Sequence, residues 1–211
     1  MENQQEQNRV QWVYSASDPQ ELARRYDQWA REYDSDLDNA FGYLGPALAA
    51  GYFAKYVPLN AHILDAGAGT GLVGVELSKK GYFDINGLDI SDGMLEEARK
   101  KAVYRELDQM TLGETLAYAN SEFDAVISVG VLTLGHAPAS SLDELVRITK
   151  SGGHIVFSLR PDVYDKNGFK EKHAELEQAG LWKLVEVSDD VKIMPKGEPE
   201  VAHQVWVYQV A

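Results

Sequence analysis

The run Ile63-Leu64-Asp65-Ala66-Gly67-Ala68-Gly69-Thr70-Gly71-Leu72 constrains the fold more than any other stretch of the chain. An apolar strand ends in an acid and passes at once into alternating glycines that open a helix. Glycine lets the backbone turn sharply and lets a ligand approach where a Cβ would stand in the way. In a doubly wound sheet, a loop of this kind lies at the carboxyl ends of the strands, where ligands bind.

The order of elements agrees with such a sheet. After the loop, Leu72 to Lys80 reads as a helix, Asp84 to Asp89 as a strand and Met94 to Lys101 as a helix. Tyr104 to Leu107 follows as a short strand, Phe123 to Val129 as a buried one, Leu142 to Thr149 as a helix and Gly153 to Leu159 as another strand. Alternation of this kind predicts βαβ units and an α/β, doubly wound, mostly parallel sheet. The tail breaks the pattern: a helix over Phe169 to Gln178 precedes two extended runs, Leu181 to Met194 and Val201 to Val210, which a turn at Pro195 to Pro199 folds into an antiparallel hairpin. Ahead of the sheet, Asp18-Pro19-Gln20-Glu21 starts a helix with a cap, a proline and a returning glutamate. Leu22, Tyr26, Trp29 and Tyr33 give that helix an aromatic face, and a second helix covers Leu44 to Tyr56. We expect one domain over residues 1–211, with 1–57 an N-terminal helical cap and 58–211 the core.

Charge narrows the partners. The 20 basic and 33 acidic residues leave a formal net charge of −13, a surface that repels phosphate backbones and anionic lipid. We therefore expect neither nucleic acid nor membrane as partner. The polar, acidic start Met1 to Gln7 is unlike a signal peptide. The absence of cysteine excludes thiolate metal sites and disulfides, and fits a cytoplasmic protein; no metal site is expected.

Two cofactor readings fit the glycines. Gly69, Gly71 and Gly74 satisfy G-x-G-x-x-G, and Asp89 lies 20 residues after Gly69, as in a dinucleotide fold. Against a nicotinamide stand Asp65 inside the entering strand and the roughly 60 residues that precede the loop. At the end of the next strand, the Asp89 carboxylate can accept both hydroxyls of a ribose, and Met94 can pack against an adenine.

In Asp65-Ala66-Gly67-Ala68-Gly69-Thr70-Gly71, Leu88-Asp89-Ile90-Ser91 through Met94-Leu95, Ser121 to Ile127 and Lys150-Ser151-Gly152-Gly153, the chain resembles the class I S-adenosylmethionine-dependent methyltransferases. Tyr26-Asp27-Gln28-Trp29-Ala30, Tyr33-Asp34 and Thr111-Leu112-Gly113 look like the methyltransferase-like branch named after the Williams–Beuren chromosomal region. The resemblance implies a seven-stranded Rossmann-like sheet, S-adenosylmethionine as cofactor and S-adenosylhomocysteine as product. It also implies a cofactor site of Asp65, Gly67, Ala68, Gly69, Thr70, Gly71, Asp89, Ile90, Met94, Leu112, Gly113, Val129 and Tyr33. Many relatives place an acid before the fourth strand to bind the adenine amino group. Here Leu112 stands there, so backbone groups of Leu112 and Gly113 must serve.

Position along the strands sorts the histidines. His62 and His154 begin strands at the far end of the sheet, His173 lies in a late helix and His203 in the hairpin. His136 alone follows a strand at the ligand end, and is the candidate catalytic base. Arg160 ends the fifth strand at the same rim and suits an anionic group such as a carboxylate, while Tyr26 and Trp29 are candidates to touch the acceptor. The expected activity is O- or N-methylation of a small molecule by proximity and orientation. A cofactor-binding scaffold without turnover and a dinucleotide oxidoreductase are the alternatives. The oligomeric state is not legible.

Overall fold

The computed structural model describes residues 9–211; Met1 to Gln7 lie outside the described residues. A short helical stretch over residues 9–14 leads into helix α1 (Pro19–Asp36), which continues through a π-turn (Leu37–Phe41), and α2 (Gly45–Tyr56) follows. The sheet then alternates with helices: β1 (Ile63–Ala66), α3 (Leu72–Lys79), β2 (Ile85–Asp89), α4 (Asp92–Lys100), β3 (Glu106–Gln109), β4 (Phe123–Ser128), α5 (Ser141–Ile148) and β5 (Thr149–Leu159). Two helices, α6 (Pro161–Lys166) and α7 (Phe169–Gln178), precede β6 (Trp182–Val187) and β7 (Gln204–Val210).

The seven strands run β3-β2-β1-β4-β5-β7-β6. Strands β1 to β5 pair in parallel, and β7 lies antiparallel to both β5 and β6. The expected doubly wound sheet with its antiparallel tail is therefore present. Strand order reverses between β1 and β4, so the crevice outside their carboxyl ends is the switch point where such sheets bind ligands.

Alternation along the strands divides the core between two faces. Ile63, Ala125, Ile127, Val156 and Val207 pack with Phe53 and Ala50 of α2. Leu64, Val126, Ile155 and Phe157 face α5, Trp182 and Tyr208. A third cluster, Val13, Leu22, Trp29, Leu37 and Phe41, lies wholly within the N-terminal segment.

Three departures from the sequence expectations have physical causes. The third strand begins at Glu106 rather than Tyr104, because the Tyr104 side chain turns inward, where its hydroxyl donates to Asp65 Oδ2 at 2.6 Å. The hairpin strands are shorter than expected: β6 ends at Val187, and the Ser188 hydroxyl accepts the Val205 N–H at 2.9 Å, closing the ladder. Pairing resumes only at the isolated Val191–His203 bridge. Helix α6 went unread because Pro161, a good first helical residue, directly follows a strand.

Candidate functional site

The glycine loop closes on itself and on the second strand. The amides of Gly67 and Ala68 donate to the Leu88 carbonyl at 2.9 and 2.8 Å, and Gly71 N–H donates to Ala68 O at 2.8 Å. Gly67 has φ +85° and a Cβ there would meet Val131 Cγ2 at 2.3 Å, so no other residue fits. Gly69, at φ +54°, would meet nothing within 4 Å: its Cα faces open space.

That space is a cavity of about 420 Å³ at the switch point, between the glycine loop, the ends of β2 and β4, and the start of α1. Asp89 stands on its wall with both oxygens fixed, Oδ2 accepting Gly69 N–H at 2.8 Å and Oδ1 accepting Ser91 N–H at 2.9 Å. Burial pushes its carboxyl up from the ordinary value, while those backbone donors pull the other way. Fixed carboxylate oxygens beside a glycine cradle can hold a ribose diol.

Of the residues expected at the cofactor, Gly67, Gly69, Asp89, Ile90, Met94, Leu112, Gly113, Val129 and Tyr33 line this cavity, together with Tyr26 and His136. Asp65, Ala68, Thr70 and Gly71 do not. Asp65 is fully buried beneath the loop, with Oδ1 lacking a partner among the described residues. Burial, with Asp89 adding repulsion and the Tyr104 hydroxyl opposing it, raises the Asp65 carboxyl to about 7. Tyr104 reaches Asp65 through a slot between glycines: a Cβ on Gly74 would meet its ring at 2.4 Å, and one on Gly87 at 3.1 Å. Its oxygen also accepts Gly74 N–H at 3.1 Å. The third glycine of the G-x-G-x-x-G pattern thus seats a tyrosine.

Helix α1 lies over the loops that form the cavity, and three of its side chains tie it down. Asp27 Oδ1 accepts Ser91 Oγ–H at 2.6 Å and Gly93 N–H at 2.9 Å, at the start of α4. Asp34 takes the Thr70 hydroxyl of the glycine loop on one oxygen and Lys101 Nζ on the other, the latter at 2.6 Å. Tyr26 and His136 Nε2 are 2.7 Å apart. His136 Nδ1 lies 3.0 Å from the Leu134 carbonyl, which can only accept, so Nδ1 carries the proton. Burial lowers the imidazole below its ordinary value and keeps it neutral. Nε2 therefore accepts the Tyr26 hydroxyl, and both nitrogens of His136 are engaged.

Trp29 and Arg160 are absent from this cavity and line a second one behind it, which shares Tyr26, Tyr33 and Gly130 with the first. Trp29 is buried and donates Nε1–H to Asp36 at 2.7 Å. Arg160 corrects an expectation: its Nε and Nη2 donate to the two oxygens of Asp162 at 3.0 and 2.8 Å, so its fork is not held out for an anionic ligand.

Sequence reasoning missed Asp27, Asp34, Tyr104 and His203. The first two carried a signal, since Asp27 and Asp34, seven apart, share one helix face beside the stripe of Tyr26 and Tyr33. Tyr104 carried none. His203 was set aside with the hairpin, yet β7 runs antiparallel to β5, which brings the start of β7 to the rim beside Leu159 and Arg160.

Known proteins agree with this geometry. A family model described as a methyltransferase domain matches residues 64–157. The human "Methyltransferase-like protein 27" is 36% identical over 181 residues, covering 82% of this chain and 73% of that protein. A "Ubiquinone biosynthesis O-methyltransferase" from Alkalilimnicola ehrlichii is 34% identical over 100 residues, 46% of this chain and 40% of the enzyme. Among solved structures, a S-adenosylmethionine-dependent methyltransferase from Thermotoga maritima, described as a possible histamine N-methyltransferase, superposes with a TM-score of 0.61 at 23% identity, over 87% of this chain and 97% of that one. The cradle of Gly67 and Gly69, the fixed Asp89 carboxylate and a cavity of matching size fit S-adenosylmethionine, and the nicotinamide alternative falls away. The chain belongs to the class I S-adenosylmethionine-dependent methyltransferases.

Proposed function

We propose that this enzyme methylates a small-molecule acceptor held in the chamber behind Tyr26 and Tyr33. The observation that carries the proposal is the second cavity, which meets the cofactor-sized one at Tyr26, Tyr33 and Gly130. Two adjoining cavities with shared walls are what in-line transfer between two bound molecules needs. When bound, S-adenosylmethionine supplies an electrophilic methyl group, whose bond to sulfur breaks as an acceptor lone pair bonds to the carbon.

The residues divide the work as follows. Asp89 would hold the ribose hydroxyls, and Gly67 with Gly69 would give the methionine part room. Ile90, Met94 and Leu112, with backbone groups of Gly113, would hold the adenine, and Val129 would complete the wall of the cofactor cavity. Asp65, Ala68, Thr70 and Gly71 act one layer back, holding the loop in shape. Helix α1 closes the site, and its Tyr26 faces both cavities. An acceptor hydroxyl can donate to the Tyr26 oxygen, whose own proton already points at His136 Nε2. On transfer, the acceptor proton moves to Tyr26 as the Tyr26 proton moves to His136, leaving an imidazolium. An amine acceptor can use the same path.

The name of the Alkalilimnicola relative, which concerns a small molecule and O-methylation, supports this reading. Calorimetry with S-adenosylhomocysteine and transfer of labelled methyl groups into a panel of alcohols, phenols and amines test it. We expect micromolar or tighter binding and label in at least one acceptor, with Tyr26→Phe lowering kcat and leaving cofactor affinity unchanged. Tight cofactor binding with no transfer to any metabolite would overturn it.

A further inference from the structure

We propose that the inner chamber recognises the far end of the acceptor through His203 and Thr133, and selects an uncharged hydrogen-bonding group over a carboxylate. This rests on the reading of the chamber as the acceptor site.

Two side chains of the chamber wall each carry a buried polar atom with no partner among the described residues: His203 Nδ1 and Thr133 Oγ1. Both side chains line the chamber, and both residues are more than nine-tenths buried, at 8% and 9% exposure. A buried polar atom left unpaired is costly, and such atoms in a folded protein call for an explanation. The two residues come from distant parts of the chain, the loop after β4 and the segment just before β7, yet both line one space walled also by Tyr14, Tyr43 and Met194.

The charges there disfavour an anion. Arg160 is the cation on the chamber wall, and Asp162 takes its Nε and Nη2. Glu198 feels the same guanidinium, and burial raises its carboxyl. His203 is held neutral: burial, reinforced by the positive Arg160, lowers it to about 4. Tyr14 is kept protonated, raised by burial to about 12. A carboxylate entering this space would give up its hydration and find Nε and Nη2 of the guanidinium already taken by Asp162. A hydroxyl or carbonyl meets a neutral imidazole nitrogen and a hydroxyl, each able to donate or accept. Size limits the group further. The chamber has a volume of about 40 Å³, room for roughly three waters, so only the terminal group of the acceptor enters it.

The test uses the full chain saturated with S-adenosylhomocysteine, and phenol, benzoate and benzylamine as probes, followed by ligand-observed NMR. We expect phenol to bind, and benzoate and benzylamine to bind at least tenfold more weakly. His203→Phe and Thr133→Val, each close in shape to the residue it replaces, should weaken phenol about fivefold while leaving the S-adenosylhomocysteine affinity unchanged. Both variants should also melt no lower than the wild type without ligand, because each removes an unpaired polar atom, whereas a purely structural role predicts a lower melting temperature. Phenol failing to bind, benzoate or benzylamine binding as well, or variants that bind phenol as tightly as wild type would overturn the proposal. Failure to bind S-adenosylhomocysteine would instead strike at the acceptor-site reading on which it rests.

Discussion

At the scale of single residues, two carboxylates at the ends of neighbouring strands serve the same loop differently. Asp89 lines the cavity with its oxygens fixed by Gly69 and Ser91, whereas Asp65 is sealed below and meets Tyr104. Asp89→Ala should weaken S-adenosylhomocysteine by about 2 kcal/mol, the scale of lost charge-assisted hydrogen bonds, and calorimetry on the folded variant would show it; unchanged affinity would remove Asp89 from the site. Asp65 should appear in the pH dependence of stability. Its carboxyl is raised to about 7 in the folded protein, against about 3.9 in an unfolded chain. The native state therefore binds a proton that the unfolded state has lost. Stability from this group is fully present below about pH 4 and is lost as pH rises through about 7. The stability difference between wild type and Asp65→Asn should fall across that window in denaturant melts; parallel curves would mean that Asp65 stays ionised throughout. The glycines and both acids were legible in the sequence because strand ends and left-handed turns restrict residue type. Their division of labour was not, since it depends on Tyr104, 39 residues away from Asp65.

At the scale of elements, the first helix holds most of the information that the core fold lacks. Its start was readable from Asp18, Pro19 and Glu21, and the structure shows Asp18 accepting the Glu21 N–H at 2.8 Å while Glu21 reaches back to Ser17 N–H at 2.8 Å. The aromatic stripe was also readable, but not that it splits: Tyr26 and Tyr33 face both cavities, whereas Trp29 faces only the inner one. What anchors the helix is polar. Asp27 holds the start of α4 and Asp34 holds Thr70 of the glycine loop. Those contacts join the helix to the segments that surround the cofactor, so ordering one should order the other. Hydrogen exchange of amides between Tyr26 and Tyr33 should slow when S-adenosylhomocysteine is added. In Asp34→Ala, which also leaves Lys101 without its carboxylate, exchange should be faster and most of the slowing should vanish. Equal protection of the wild-type helix with and without ligand would make it ordinary core. Partners such as these are invisible in one sequence, because an acid on an exposed helix face looks the same whether it meets water or a loop 36 residues later.

At the scale of the whole molecule, charge and enclosure together set what can be methylated. The chain carries a formal net charge of −13, and a protein that engages a nucleic-acid backbone needs clustered cations to displace its counterions. The cations near the site are already committed: Lys101 to Asp34 and Arg160 to Asp162. The loop after β4, Val129-Gly130-Val131-Leu132, presents no side-chain acceptor for an exocyclic base amine. A cationic protein tail would be drawn by the negative surface, but the inner chamber is small and Tyr26, Trp29 and Tyr33 of the first helix form part of its wall. Such a tail would have to displace Tyr26 from His136 and break the anchors at Asp27 and Asp34. The small-molecule acceptor proposed above would fit without unmaking the site. With labelled methyl donor in a cell extract divided into metabolite, protein and RNA fractions, we expect label in the metabolite fraction. That transfer should change little between low and moderate salt, because an uncharged acceptor is not steered by surface charge. Label confined to protein or RNA, with transfer falling steeply as salt rises, would show that a charged polymer reaches the methyl group by a route that opens the first helix.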